Sequence, residues 1–413
     1  IIMIYDVIII GGGPAGMMAA GRAGARGARG LLLEKNNQLG LKLLATGHGR
    51  SNITNALADK KETIGVYGKN FKFLFSAFNK FDVNDTINFF NNLGVATKEE
   101  YHGRVFPLSD KSGDVCQALI KYLKQGWVEI KFDVEVKKIV AVNNVITKII
   151  LTDNQEILSK NFIISTGGKS YPQTGSTGDA YKWLRDLGHN IITPRPALAP
   201  VTIKEKIVKD LEGLSLKDIK INVYQNNKKI VSRSGDIIFT SDGISGPAII
   251  DLSEHIGALL PAPTFIKIDF KPKIKLSELD KKLQTDFHQA RNKMFKNYLA
   301  GVVAPKLTPI IIKLSGVDAL KRVNVITKSE RQALVRALKK FTLEVKELKG
   351  FTKAMITAGG VDIKEVDPKT MRSRLYKNLF LAGEILDLDG PSGGYNLQIC
   401  WSTGYTAGDS VVF

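Results

Sequence analysis

Three glycines with the spacing Gly11-x-Gly13-x-x-Gly16 directly follow an apolar run and carry the clearest chemical signal in the sequence. Gly11 permits a tight turn, Gly13 lets a pyrophosphate approach the backbone, and Gly16 lets a helix pack on the strand. The N-terminus of that helix would face the phosphates with unpaired N–H groups and a favourable dipole. Because ordinary glycine-rich turns share this spacing, the flanking strand and helix are what make it predict dinucleotide binding.

A carboxylate follows the second predicted strand, at the position where dinucleotide-binding sites use one to bind the ribose. Glu34 ends the second apolar run, 18 residues beyond Gly16. A carboxylate in this position can accept hydrogen bonds from both ribose hydroxyls, and it disfavours a 2′-phosphate. Glu34 and the adjoining Lys35 are therefore predicted to contact the dinucleotide.

Two further strand ends indicate which dinucleotide is bound. Thr166-Gly167-Gly168 follows an apolar run in mid-chain, and Gly383-Glu384 follows a late one. A nicotinamide dehydrogenase would not need a late strand beside its first β-α-β unit, whereas an extended FAD would. Glu384 would then accept hydrogen bonds from ribityl hydroxyls, and the alternative for Glu384 is a solvated loop carboxylate.

Parallel strands and a packed helix are needed to position these residues. Residues 7–10 and 31–33 are continuous Val, Ile and Leu, which is typical of strands buried on both faces. Small, weakly apolar residues at 17–28 predict the helix between them, with Gly27 at its exit. Apolar residues at helical spacing predict further helices at 82–93, 115–123, 277–338 and 397–407. Strand-like runs lie at 128–142, 157–164, 342–348 and 379–382. The block 201–270 is predicted to be mostly β-structure.

The residue pattern of the first segment, short apolar runs followed by glycine-containing loops, returns near the end of the chain, whereas the middle of the chain has a different pattern. Pro194 and Pro196 bracket the change in composition, which marks a domain boundary. The simplest architecture is a Rossmann-type domain built from both chain ends and interrupted by an inserted β-plus-helical domain.

Several longer blocks resemble one known family. The run GLKLLATGHGRSNITN at 40–55 looks like the signature that follows the first β-α-β unit in the aminoacetone-oxidase/BaiN-like family of FAD-binding flavoproteins. The family's other blocks are matched by GRVFP at 103–107, by Gly167-Gly168 with residues 172–178, and by GEILD at 383–387 with residues 390–398. The resemblance covers essentially the whole chain.

The resemblance implies the fold class, the domains and the cofactor. The expected α/β fold is a glutathione-reductase-like Rossmann FAD-binding domain, residues 1–195 and 353–413, interrupted by an inserted domain at 196–352. In the inserted domain a β-barrel-like part is expected at 196–270 and 340–352, with a helical part at 275–340. The FAD contacts expected from the motifs and the resemblance together are Gly11, Gly13, Pro14, Ala15, Gly16, Glu34, Lys35, Lys42, Arg50, Ser51, Asn52, Val136, Thr166, Gly167, Gly168, Gly383, Glu384, Gly394, Asn396 and Leu397.

Two positions depart from the family pattern. The family usually carries Cys where this chain has Ser51, so any role that rests on that thiol is absent here. His48 stands where Gly or Asn is common. It either introduces a titratable group near the flavin or is a surface loop residue.

Missing motifs exclude other chemistries. Residues 35–60 contain no cysteine, which excludes a flavin disulfide reductase, and a second GxGxxG for a dedicated NAD(P) domain is absent. The first glycine of a P-loop ending at Gly168-Lys169-Ser170 would fall at Ile163, so nucleotide hydrolysis is rejected. The five histidines lack metal-ligand spacing, and no Ser stands in a G-x-S-x-G elbow.

Polar residues near the flavin ring are the candidates for catalysis, although a hydride transfer needs no catalytic base. For Arg104 a substrate-binding role stands beside a salt bridge or a cap on the helix near Ser112. Lys42 and Arg50 could instead complement the pyrophosphate or the negative charge of a reduced flavin. The candidates are His48, Arg50, Arg104, Tyr171 and Tyr395, with His102 also placed near the ring.

Composition narrows the class of protein further. A chain of 413 residues, 44% hydrophobic and 24% charged, suits two or three globular domains and excludes disordered and fibrous classes. Apolar stretches stay short of the ~18–20 residues that cross a bilayer, and the first residues lack a signal-peptide pattern. Cys116 and Cys400 cannot form a disulfide framework, which indicates a reducing compartment. We therefore expect a cytoplasmic protein without a membrane span.

The net charge of +19 keeps a second functional class open. Residues 201–352 contain 28 Lys and Arg against 16 Asp and Glu, so +12 of the excess lies in the inserted domain. Only Phe265 and Phe270 lie near its lysine cluster at 267–282, whereas a nucleic-acid platform gains from interleaved aromatic residues. A solvated lysine-rich face is favoured. Contact with RNA, an anionic substrate or an acidic redox partner is the alternative.

Together these observations predict an FAD-dependent oxidoreductase that transfers a hydride between flavin and a small organic substrate. The resemblance allows amine oxidation with oxygen, or reduction of an enone fed by NADH or NADPH as a transient donor. A flavin-bearing, RNA-associated or nucleic-acid-modifying protein, which would use the basic inserted domain, is the alternative.

Overall fold

Residues 5–56 and 65–413 are described by the computed structural model of this chain. Contacts divide the chain into two compact units: Ile1–Pro196 with Ala354–Phe413, and Ala197–Lys353. We call them the Rossmann unit and the inserted unit.

Eighteen strands are formed by the described residues. They are β1 Tyr5–Ile10, β2 Gly30–Leu33, β3 Thr54–Asn55, β4 Thr97–Glu100, β5 Arg104–Pro107, β6 Glu129–Lys131, β7 Val136–Val142, β8 Val145–Leu151, β9 Glu156–Ile164, β10 Ile191–Ala197, β11 Val201–Ile203, β12 Ser215–Gln225, β13 Lys228–Thr240, β14 Gly243–Ser245, β15 Thr264–Asp269, β16 Phe341–Leu348, β17 Ile356–Val361 and β18 Leu379–Leu381.

Helices cover both units. Those whose bounds are described are α1 Pro14–Ala25, α2 Leu41–Ala45, α3 Phe71–Lys80, α4 Val83–Asn92, α5 Ser112–Gln125, α6 Asp179–Asp186, α7 Pro247–Leu259, α8 Leu276–Gln289, α9 Phe295–Leu299, α10 Thr308–Ser315, α11 Lys328–Lys339 and α12 Tyr395–Ser410.

A seven-stranded sheet forms the centre of the Rossmann unit, in the order β6-β2-β1-β9-β8-β7 with β18 also paired to β9. The pairs β6–β2, β2–β1, β1–β9 and β9–β18 are parallel. Every residue of β2 and four consecutive residues of β1 are buried, as expected for strands covered on both faces. The carboxyl ends of β2, β1, β9 and β18 therefore lie at one edge of the sheet.

The inserted unit closes a six-stranded barrel in the order β11-β14-β13-β12-β15-β16. Its core is separate from that of the Rossmann unit and includes Ile221, Phe239 and Ile268, each at most 1% exposed. The fold class predicted from the sequence, a Rossmann-type domain with an inserted barrel and helical part, is confirmed.

Two local predictions differ from the structure. The first helix begins at Pro14 rather than at 17 and ends at Ala25, since proline suits the first helical position and Gly27 adopts φ +95°. The predicted β block 201–270 contains the helix α7, which Gly246 at φ +98° and Pro247 introduce. Pro194 and Pro196, predicted to bracket a domain boundary, lie inside β10, and the two units divide directly after Pro196. Strand β10 pairs only with β17 among the described strands, and proline is tolerated on such an edge.

Among the described residues, no helix combines the length and apolar character that crossing a bilayer requires.

Candidate cofactor site at the carboxyl edge of the sheet

Four loops that carry predicted site residues begin at the same edge of the sheet. They follow the parallel strands β1, β2, β9 and β18. The predicted residues in these loops are Gly11, Gly13, Pro14, Ala15 and Gly16 after β1, Glu34 and Lys35 after β2, Thr166, Gly167 and Gly168 after β9, and Gly383 and Glu384 after β18.

The glycine loop between β1 and α1 has two close approaches and one open position. Gly11 adopts φ +102°, and a Cβ on it would lie 2.7 Å from the Ser165 carbonyl oxygen. A Cβ on Gly16 would lie 1.9 Å from the carbonyl oxygen of Gly11. By contrast, no atom of the described chain lies within 4 Å of where a Gly13 Cβ would stand. Close packing requires glycine at positions 11 and 16, whereas Gly13 has open space beside it.

Glu34 is buried and aimed at the glycine loop. Its Oε2 accepts a hydrogen bond of 2.7 Å from the Gly12 N–H, and its Oε1 accepts one of 2.9 Å from the Asn36 N–H. The Asn36 side-chain amide also donates to Oε1, at 2.6 Å, so the acceptor position that remains for a ribose hydroxyl is on Oε2. The neighbouring Lys35 ammonium instead contacts Asp179 and the hydroxyl of Thr177, each at 2.6 Å.

Glu384 is a bridging carboxylate. Its Oε2 lies 2.6 Å from the Lys42 ammonium, and its Oε1 accepts a hydrogen bond of 2.8 Å from the Thr357 N–H. The alternative of a solvated loop residue is therefore wrong, because only 16% of this side chain is exposed. A Cβ on Gly168 would lie 3.1 Å from the Glu384 carboxylate, so the loops after β9 and β18 meet here.

Four buried polar atoms of the Rossmann unit have no hydrogen-bond partner in the described chain. They are Ser51 Oγ, Asn52 Oδ1, Asn55 Oδ1 and Thr166 Oγ1. Buried polar atoms are nearly always paired, so an unpaired group indicates a missing partner. Three of these residues were predicted to contact FAD, and Ser51 adopts φ +58°. A polar ligand that spans the loops would satisfy these atoms, which fits FAD.

The start of α12 lies beside the segment that carries these atoms. Gly394 caps the helix at φ +100°, and a Cβ on it would lie 2.4 Å from the Thr54 carbonyl oxygen. Asn396 uses its side chain to brace the loop, accepting a 2.9 Å hydrogen bond from the Gly390 N–H and donating one of 2.8 Å to its carbonyl. Leu397 is buried, and Trp401 donates to the Ile53 carbonyl at 2.9 Å.

Arg50 is held by two carboxylates. Its guanidinium contacts Glu100 and Asp110 and lies over the ring of Phe106, 4.1 Å from the centroid. These contacts raise the pKa of Arg50, and the Arg50 guanidinium lowers the pKa of Glu100. Lys98, together with Arg50, lowers the pKa of Asp110. The charge of Arg50 is thus already compensated within the chain.

The other candidates for catalysis occupy different environments. Arg104 is half-buried, and its Nε donates to the Tyr101 carbonyl at 3.1 Å, so it is neither in a salt bridge nor a cap on α5 within the described chain. His48 is exposed at φ +57°, consistent with the surface-loop alternative. His102 is exposed, Tyr171 is half-buried at φ +55°, and Tyr395 is buried at the first position of α12. Val136 begins β7 and is buried.

The sequence did not reveal two residues that assemble the site. Thr357 is fully buried, and its hydroxyl accepts hydrogen bonds from the N–H groups of Lys169 and Ser170 at 2.8 and 3.1 Å. Cys400 lies behind Gly383, where burial and the nearby Glu384 carboxylate raise the pKa of its thiol to about 12. Both contacts join segments far apart in sequence, and no local pattern marks them.

This set of loops has counterparts in known proteins. The chain matches the family described as HI0933-like protein Rossmann domain over residues 5–410. The chain belongs to this family. It is 32% identical over 407 residues to a 3-dehydro-bile acid delta(4,6)-reductase of Clostridium scindens, covering 97% of each chain.

Other relatives extend the comparison. A ribosomal RNA dihydrouridine synthase of Escherichia coli is 28% identical over 411 residues, covering 99% of this chain and 98% of that protein. Among solved structures, the fold is similar to a 3-ketosteroid-delta4-(5alpha)-dehydrogenase from Rhodococcus jostii, with a TM-score of 0.51 and 16% identity over 98% of this chain and 96% of the other.

Family membership confirms the predicted resemblance to the BaiN-like FAD-binding flavoproteins and the predicted class, an FAD-dependent oxidoreductase. Within residues 5–56 and 65–413, no group of three or more His, Cys, Asp or Glu side chains could hold a metal ion.

Proposed function

We propose that this protein is a flavin-dependent reductase that saturates a carbon–carbon double bond conjugated to a carbonyl group. The observation that carries the proposal is the set of unpaired polar atoms and the open position at Gly13, which fit FAD beside the four loops. Bound FAD would supply the two-electron chemistry that no side chain provides.

The names of the relatives support one shared reaction type. A delta(4,6)-reductase acts on double bonds of a steroid ring. Dihydrouridine differs from uridine by saturation of a double bond that is conjugated to a ring carbonyl. Both reactions thus add hydrogen to a carbon–carbon double bond, and this favours enone-type reduction over amine oxidation for the present chain.

The residues of the chain have distinct proposed roles. The N–H groups at the start of α1 bind the pyrophosphate, and the Glu34 carboxylate binds the ribose. Ser51, Asn52 and Thr166 pair with polar atoms of the cofactor and so exclude water from it. NADH or NADPH serves as a transient electron donor.

The test uses the purified, FAD-loaded protein without oxygen. NADH and NADPH are mixed with it first, and bleaching of the flavin absorbance is followed by stopped flow. A 3-oxo-4,6-diene steroid or a uridine-containing RNA oligonucleotide is then added, and mass spectrometry measures the gain of two hydrogens. Reduction of a conjugated substrate is expected. Flavin that is reduced by small amines but reoxidised by no conjugated compound would contradict the proposal.

RNA is the second candidate substrate because of the inserted unit. Residues 201–352 of this unit carry a net charge of +12, and the Lys267 ammonium lies 4.2 Å from the ring centroid of Tyr224 on the adjacent strand β12. Tyr224 lies 43 positions before Lys267 in the sequence, and the pairing of β12 with β15 brings the two residues together. RNA binding should weaken steeply with salt, as phosphate contacts require, and K267E should weaken it further without changing FAD content.

A further inference from the structure

Two arginines near the candidate cofactor site differ in what holds them. Arg50 is bound by the carboxylates of Glu100 and Asp110. In the described part of the chain, by contrast, no carboxylate lies within ion-pair distance of Arg104, and its Nη atoms make no hydrogen bond. Arg104 therefore presents a positive charge and unused N–H donors.

The backbone of Arg104 is fixed beside the site. Asn55 and Arg104 are paired in the β3–β5 ladder. The Asn55 side chain donates to the carbonyls of His102 and Gly393, at 3.1 and 3.0 Å, and so ties the turn before β5 to the residues before α12. Gly103 adopts φ +71°, where a Cβ would lie 2.8 Å from Asn55 Oδ1. The turn is thus closely packed against the segment that carries the unpaired polar atoms.

The head group of Arg104 is held in a defined direction. Its Nε donates to the Tyr101 carbonyl within the same turn. One donor of the guanidinium is therefore used for positioning, and the outer N–H groups remain available. A planar guanidinium with two free donors is suited to a carbonyl or oxyanion.

We propose that Arg104 is a catalytic residue that binds the carbonyl oxygen of the conjugated substrate and stabilises the negative charge that develops on it. This inference rests on the proposed function. Bound reduced FAD would supply two electrons as a hydride to the β-carbon, where a C–H bond would form. The π bond between the α- and β-carbons breaks, and its electron pair produces an enolate. A proton from solvent then adds to the α-carbon, so the double bond is reduced and the flavin is oxidised.

Charge compensation explains why Arg104 rather than its neighbours takes this role. The Arg50 guanidinium faces two carboxylates, and the Lys42 ammonium lies 2.6 Å from Glu384. A donor that is preorganised and not already neutralised stabilises a developing oxyanion more strongly.

Stopped-flow reoxidation of the reduced protein tests the proposal. The probes are 2-cyclohexen-1-one and a uridine-containing RNA oligonucleotide, and the variants are R104A, R104K and the exposed control R374A. At saturating probe, R104A should slow reoxidation by about 100-fold, the usual effect of removing one oxyanion donor. R104K should be intermediate, R374A should stay within twofold, and added guanidinium chloride should partly restore R104A. An R104A rate equal to that of the wild type would overturn the proposal.

A binding measurement gives a readout that does not need turnover. p-Chlorophenol is a stable mimic of the enolate, and calorimetry measures its affinity for the oxidised, FAD-loaded protein across pH. The wild type and R374A should bind the phenolate form, and R104A should bind it at least tenfold more weakly. Equal phenolate affinity in the wild type and R104A, or none in either, refutes the role of Arg104. If the wild type binds phenolate but reduces neither probe, it is the proposed function that fails.

Discussion

The Rossmann unit and the inserted unit differ in how many of their buried polar side-chain atoms lack a hydrogen-bond partner within the described chain. In the described chain, four buried polar side-chain atoms without a partner lie in the Rossmann unit, on Ser51, Asn52, Asn55 and Thr166, and one lies in the inserted unit, on Thr308. The inserted unit pairs even buried charges, as between Lys339 and Asp269 at 2.6 Å. Most of the unpaired buried polar atoms in the described chain thus lie in the Rossmann unit, on the loops of the candidate cofactor site.

This difference predicts that substitutions in the loops of the Rossmann unit change affinity, while substitutions in the barrel change stability. The largest effect is expected at Gly13. The position is open in the ligand-free chain, so Gly13→Ala should leave the apo unfolding temperature unchanged but weaken FAD binding by about 100-fold, ~2.8 kcal/mol.

Gly16→Ala is the comparison for Gly13→Ala. Its Cβ would lie 1.9 Å from the Gly11 carbonyl oxygen, so it should lower the apo unfolding temperature as well as FAD affinity. Calorimetry of both apo variants and fluorescence titration with FAD separate the two cases. A Gly13→Ala variant with unchanged FAD affinity would show that this loop does not hold the cofactor.

A comparable effect, on stability rather than on FAD affinity, is expected in the barrel core. Ile221 is fully buried on β12, so Ile221→Ala should lower the free energy of unfolding by about 2–5 kcal/mol. Ile230→Ala removes the same atoms from a side chain that is 44% exposed and should cost far less. Both variants should keep the FAD affinity of the wild type. A loss of FAD affinity in Ile221→Ala would mean that the barrel is not independent of the cofactor site.

Local sequence signals were sufficient for the parts of the fold that depend on near neighbours. The glycine spacing at 11–16, the apolar runs of β1 and β2, and the strand ends at Thr166 and Gly383 are each encoded within a few residues. Since parallel strands place their carboxyl ends at one edge, these signals were enough to predict which loops meet there.

Long-range contacts could not be predicted in the same way. The positive charge of Arg50 is compensated by the carboxylates of Glu100 and Asp110, which lie 50 and 60 positions later in the sequence. No spacing rule connects these residues. Helix α7 was missed for a different reason. A short apolar run suits a buried strand as well as a buried helix. Gly246 and Pro247 stand at the start of this helix. They indicate a helix start only if the apolar run that follows is already interpreted as helical.

A smaller effect should distinguish the two unpaired threonines. Thr166→Val and Thr308→Val each remove a buried hydroxyl without a partner in the described chain, so both should leave apo stability unchanged or slightly raised. If FAD supplies the partner of Thr166, only Thr166→Val should weaken FAD binding, by roughly three- to tenfold. FAD titration and thermal unfolding of the two variants measure this. Equal FAD affinity in both would remove Thr166 from the site.

The smallest expected effect concerns a polar group of the Rossmann unit that is already satisfied. The His189 ring is fully buried, with Nδ1 at 2.9 Å from the Glu365 carboxylate and Nε2 at 3.0 Å from the Ser373 hydroxyl. Burial lowers the pKa of His189 below its ordinary value of 6.5, although Glu365 opposes the shift.

Acid should therefore destabilise the fold through His189 and leave the cofactor site unaffected. Between the ordinary pKa and the lowered one, the unfolded chain binds more protons, so stability is complete above about pH 6.5 and falls as the pH drops through the folded pKa. His189→Leu should lower the unfolding temperature at neutral pH but show a smaller further loss between pH 7.5 and 5.5 than the wild type. FAD affinity at neutral pH should not change. An equal acid-induced loss in both proteins would assign the pH dependence to carboxylates elsewhere, and a weakened FAD affinity would place His189 among the groups that a ligand completes.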